Sequence, residues 1–68
     1  MNFEKQVINS FKTKYKEFKD LDLLVAIPDS FLDYEDNEII IMEKQDNGKV
    51  FNVVIDRKNQ KVIDYYEL

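Results

Sequence analysis

The dipeptide Asn47-Gly48 constrains this chain more than any other feature. Gly48 is the only glycine in 68 residues, and it stands between two runs rich in β-branched side chains, "IIIM" and "VFNVVI". A two-residue type I′ turn needs positive φ at both central positions, which Asn and Gly supply at least cost. The spacing therefore predicts an antiparallel hairpin of strands 38–44 and 49–55. A further strand is expected at 23–27, closed by Pro28, and a last one at 62–67 beyond the polar turn "DRKNQK". Asn59 or Gln60 of that turn should be left-handed.

The N-terminal third has a different period. Apolar residues at 3, 7, 8, 11, 15 and 18 fall on one arc of a helical wheel, with Asn2 placed to cap and lysines gathered toward the far end. An amphipathic helix over 3–19 is expected. The order is α-β-β-β-β in a single domain, 1–68, of the α+β class: an N-terminal helix packed on one face of a four-stranded antiparallel sheet.

If Asn47-Gly48 are the only turn residues, Met42 faces Val53, Ile40 faces Ile55 and Lys44 faces Phe51. The helix should then cover Ile40, Met42, Phe51, Val53 and Ile55. The opposite face would carry Ile39, Ile41, Val50 and Val54 with no second helix over them. A contiguous apolar cluster of that kind marks an interaction surface more often than chance exposure does. Tyr65 and Tyr66 must point to opposite faces, so one of them extends this surface.

Charge is divided by segment. Residues 1–19 hold five lysines against Glu4 and Glu17, a net of +3; residues 20–38 hold seven acids and no base, a net of −7. Residues 39–68 hold five of each, giving −4 for the chain. Either the first two segments neutralise one another or an acidic surface is kept for a basic partner. Lys5, Lys12, Lys16 and Lys19 would form a basic stripe along a helix continuing to residue 19. Net negative charge and a single arginine, Arg57, nevertheless argue against direct nucleic-acid binding.

Catalytic chemistry finds little material. The chain has no Cys or His, one glycine, and besides its tyrosines only Ser10, Thr13 and Ser30 as hydroxyls. No nucleophile–base pair and no phosphate-cradling loop can be assembled from these, so a non-enzymatic protein without cofactor is expected. Asp33, Glu35 and Asn37 match the first ligand positions of a calcium loop. Glu38 stands where that loop needs Gly and Lys44 where it needs Glu, so no metal is expected. The N-terminus has no apolar leader and the apolar runs are too short to cross a bilayer, which points to a cytoplasmic protein. Scarce Ala and Gly beside abundant Lys, Asn and Ile fit an AT-rich coding sequence, as in low-GC bacteria and their phages.

The stretch "PDSFLDYEDNE" combines five carboxylates with Phe31, Leu32 and Tyr34. Ser30 to Asp33 fits a capping box, which allows one helical turn there; a strand-like continuation would instead alternate Phe31 and Asp33 against Leu32 and Tyr34. Aromatics would anchor the segment while carboxylates point outward. "VIDRKNQKVID" resembles the closing hairpin of PepSY-type modules, and the element order is similar to cystatin-like folds, an architectural analogy that carries no function.

These readings converge on a protein-binding module, an inhibitor or regulator that occupies a partner's surface. The expected contact residues are Phe31, Asp33, Tyr34, Glu35, Asp36 and Glu38 in the acidic segment, with Ile39 and Ile41 on the open sheet face. The partner is expected to be a protein with a basic surface. A phage- or mobile-element-encoded inhibitor of a nucleic-acid-handling enzyme, of the anti-CRISPR or DNA-mimic kind, is one alternative. A homodimer packed through its sheets is another.

Overall fold

A computed structural model describes residues 2–68. Helix α1 spans Phe3–Lys14, and Asn2 caps it by accepting the Lys5 N–H at 2.8 Å. After a 3₁₀ turn, Lys16–Phe18, come β1 (Leu23–Ala26), α2 (Asp29–Leu32), β2 (Glu38–Glu43), β3 (Val50–Asp56) and β4 (Lys61–Glu67). The strands form one antiparallel meander in the order β1-β2-β3-β4, with α1 against one face. This is the α-β-β-β-β architecture that the sequence leads one to expect. The acidic stretch takes the helical of its two expected forms, but α2 starts at Asp29 with Pro28 as its N-cap and Ser30 inside it, so the expected capping box does not form.

The helix is shorter than its apolar arc suggests. At Tyr15 the backbone leaves helical geometry (φ −121°), so the basic stripe expected through Lys16 and Lys19 is not a continuous helical face. Packing explains the break. In a straight helix residues 11 and 18 would be ~10.5 Å apart along the axis. The 3₁₀ turn instead brings Phe18 parallel to Phe11, with ring centroids 5.4 Å apart and planes 6° apart. Phe51 and Tyr65 close the same cluster, each within 5.7 Å of Phe11 and Phe18.

The hairpin register differs from the expected one, and that reverses the faces of β2. Ile41 lies opposite Phe51 and Ile39 opposite Val53, so the connection is the five-residue loop 44–48 rather than a two-residue turn. The shift is odd in residues, and an odd shift moves every side chain of a strand to the other face. Ile39 and Ile41, expected on the open surface, are fully buried beneath α1 with Phe51, Val53 and Ile55. The expected register would have placed Lys44 opposite Phe51 on the covered face; the observed one places Ile41 there.

Glu43 closes the wider loop. Its carboxylate accepts the Lys49 N–H at 3.0 Å and the Gln45 side-chain amide at 2.9 Å. Asn47 is left-handed (φ 60°), but Gly48 is not. Glycine is needed there for space, because a Cβ would lie 2.7 Å from the Glu43 Cβ. The β3–β4 turn has its left-handed residue at Gln60 (φ 55°), one of the two expected positions.

Candidate functional site: an arginine-pinned acidic segment beside an open sheet face

The acidic segment is held by a residue that lies 20 or more positions away in sequence. Asp56 shapes the β3–β4 turn by accepting the Lys58 N–H at 3.1 Å and the Asn59 side-chain amide at 2.8 Å. That bond with Asn59, ahead of the backbone contacts and the Lys58 charge, keeps the Asp56 carboxyl below its ordinary value. The turn aims Arg57 back across the end of the sheet. Its Nη2 donates to the carbonyls of Phe31 and Asp36, and its Nε donates to Asn37 Oδ1 at 3.1 Å. The guanidinium also stacks on the Phe31 ring, 3.6 Å from the centroid, and faces the Tyr34 ring at 4.8 Å.

The segment itself begins with α2, a single helical turn. Pro28 and Asp29 carbonyls accept its first hydrogen bonds, and Phe31 is buried against the core and the Phe3 ring. The turn ends in a Schellman arrangement: Tyr34 N–H reaches the Phe31 carbonyl at 3.1 Å and Glu35 N–H reaches the Ser30 carbonyl at 2.9 Å. Tyr34 therefore occupies the left-handed position usually given to glycine, with φ 62°. An L-residue there costs ~1–2 kcal/mol, which the stack on Arg57 partly offsets. The ring is nonetheless 82% exposed.

The expected contact residues thus divide. Asp33, Tyr34 and Glu35 form an exposed knuckle. Among the described residues the ion pairs are Lys44–Asp22 and Lys49–Glu67, so neither knuckle acid is in one, nor is any lysine of residues 1–19. Phe31 is the buried foot of the knuckle rather than a surface anchor. Asp36 turns back to accept the Asn37 N–H at 2.7 Å. Ile39 and Ile41 are core residues and are withdrawn from the candidate surface.

Glu38 belongs to the second feature, the sheet face opposite α1. That face holds three rows across the strands: Leu24, Met42, Val50 and Leu68; Ala26, Ile40, Asn52 and Tyr66; Glu38, Val54 and Asp64. No described helix covers it. Tyr66 and Leu68 are 53% and 67% exposed, while Ile40, Met42, Val50 and Val54 are half-buried by their neighbours. An open apolar face is what the sequence leads one to expect, but β2 contributes Ile40 and Met42 to it. At the acidic end Glu38 Oε1 accepts from the Asn52 amide at 2.5 Å and the Tyr66 hydroxyl at 3.2 Å. Desolvation against the sheet, then the Glu38 charge and this hydrogen bond, push the Tyr66 phenol above its ordinary 10.0.

A shallow groove of about 550 Å³ lies between α1 and the β3–β4 turn, lined by Asn9, Ser10, Lys14, Gln60 and Lys61 among others. Ser10, expected from its place on the helix flank to be a capping or surface hydroxyl, instead ties the helix to the sheet there, its Oγ accepting the Val62 N–H at 2.9 Å. Among the described residues no group of three or more carboxylates is placed to hold a metal, and no helix is long and apolar enough to cross a membrane.

Compared with family models, curated proteins and solved structures, the chain matches none. The likeness of "VIDRKNQKVID" to a PepSY-type hairpin therefore stays confined to those eleven residues.

Proposed function

We propose that the protein is a non-enzymatic binding module, an inhibitor or regulator that covers a basic patch on a partner protein with its acidic knuckle. The observation that carries this reading is the Arg57 clamp. Three hydrogen bonds and two ring contacts from one side chain hold a loop whose outward groups are carboxylates around an exposed tyrosine. A loop held in its presented shape loses less conformational freedom on binding than a mobile one. Asp33 and Glu35 steer a basic surface toward the knuckle, and Tyr34 supplies the kind of large, rigid contact that dominates binding energy. A nucleic-acid-handling enzyme is one class of protein that presents such a patch.

The test compares immobilised wild-type chain with two variants, Asp33→Lys/Glu35→Lys and Tyr34→Ala, as baits in the same extract. A partner that meets the knuckle is held by the wild type, released as salt rises, and lost from the charge-reversed bait. Recovery of the same proteins in the same amounts by all three baits would refute the knuckle as the contact surface.

A further inference from the structure

We propose that the open sheet face seats a basic amphipathic helix from a partner protein, completing a helix–sheet–helix sandwich. The inference rests on the reading of the chain as a protein-binding module, and it names the partner's chemistry at a second surface.

Size limits the occupant to a single element. Four strands ~4.8 Å apart and three rows of side chains ~6.7 Å apart give a face of roughly 400 Å². Any occupant of such a face buries roughly 800 Å² in total, the range of weak or transient pairs, so area alone does not separate a helix from a second copy. In a pair of copies, however, each would bring a net charge of −4 to the other. A single helix of about 13 residues is ~20 Å long and spans the strands from the Leu24 row to the Glu38 row. The chain itself shows the scale, since α1's 12 residues, with Phe18 and Phe31 beside them, cover the other face of the same sheet.

Charge selects its sign. The row of Leu24, Met42, Val50 and Leu68 is apolar throughout, whereas the opposite end carries Glu38 and Asp64. Both hydrogen bonds to Glu38 end on Oε1; Oε2 accepts none among the described residues. Asn52 and Tyr66 thus fix the carboxylate while leaving one oxygen for an incoming donor. A helix with an apolar stripe of i, i+3, i+4, i+7 spacing would lay that stripe on Met42, Ile40 and Val50. A lysine or arginine toward one end would then reach Glu38.

The experiment uses the full chain and two synthetic peptides of about 14 residues that share a Leu/Ile stripe of helical spacing. One carries Lys and Arg on its polar face, the other Glu. Amide shifts in nuclear magnetic resonance should move at Leu24, Ile40, Met42, Asn52 and Tyr66 when the basic peptide is added. The acidic peptide should bind at least roughly tenfold more weakly. Met42→Glu should abolish the shifts, and Glu38→Gln should weaken the basic peptide but not the acidic one. Shifts confined to α1 or to residues 33–37, or equal affinity for both peptides, would overturn the proposal. So would sedimentation of the protein alone as a dimer that Met42→Glu dissociates, which would place a second copy on the face. The Asp33→Lys/Glu35→Lys variant should keep the peptide contact, so failure of the knuckle reading and failure of this one give different results.

Discussion

Removing the Arg57 side chain should destabilise the protein far more than a change in a polar turn normally does. Arg57→Ala deletes two charged-donor hydrogen bonds to the carbonyls of Phe31 and Asp36, a third to Asn37, and a guanidinium packed on the Phe31 ring. Hydrogen bonds from a charged group contribute ~1.5–3 kcal/mol each, and a partly desolvated cation–π contact roughly 0.5–2 kcal/mol. Water can reach the segment once the side chain is gone and recover part of this. The expected loss is therefore ~2–4 kcal/mol, against a total of roughly 3–10 kcal/mol for a domain of this length. That corresponds to a fall in Tm of roughly 10–25 °C. Urea titration and thermal unfolding followed by circular dichroism measure the loss. Hydrogen exchange should place it, with the Tyr34, Glu35 and Ile55 amides losing protection first. Arg57→Lys should restore little, because an ammonium cannot serve two carbonyls and a ring face with one planar fork. An alanine variant within ~0.5 kcal/mol of wild type, or a lysine variant equal to it, would show that the clamp does not hold the segment.

The register is tested by a pair of truncations: Ile41→Ala should cost ~2–4 kcal/mol and Ile40→Ala less than ~1 kcal/mol in urea unfolding, and the reverse order would restore the two-residue turn. Gly48→Ala should destabilise by ~1–2 kcal/mol through its clash with Glu43, whereas Asn47→Gly should be neutral or stabilising because φ is positive at Asn47 and not at Gly48. Tyr66 should titrate above 10.0 by ultraviolet absorbance or carbon chemical shift, and Glu38→Gln should bring it down. Since its folded value is the higher one, its contribution to stability is complete below about pH 10 and is lost as pH rises through the folded value.

The helix was legible from its ~3.6-residue period, and the four strands from short apolar runs set between turn signals. The register was not, because Ile39, Ile40, Ile41 and Met42 are all apolar and have no alternation to say which pair faces inward. The decision fell to the turn, and Asn-Gly signals a tight turn only where both residues are left-handed. Here Gly48 serves a close approach to Glu43, a contact that no local pattern encodes. The acidic knuckle was half legible: a helical turn was one of two forms the stretch allowed, its cap falls at Pro28 rather than Ser30, and its clamp has no local signal. Arg57 reads as one more polar residue in "DRKNQK". Its being the sole arginine was the signal available, since only a guanidinium can fork between two carbonyls while stacking on a ring.

The clamp also orders events during synthesis. The chain emerges N-terminus first, so α1, β1 and the acidic segment all precede Arg57 off the ribosome. Until the β3–β4 turn has formed, Arg57 cannot reach the carbonyls of Phe31 and Asp36, and only local bonds such as Tyr34 N–H to the Phe31 carbonyl shape the segment. The knuckle thus acquires its clamped form only after Arg57 and the β3–β4 turn are made, although it is encoded in the first 38 residues. On the reading proposed above, a nascent chain would be silent toward a partner that reads the knuckle's shape until β4 pairs with β3.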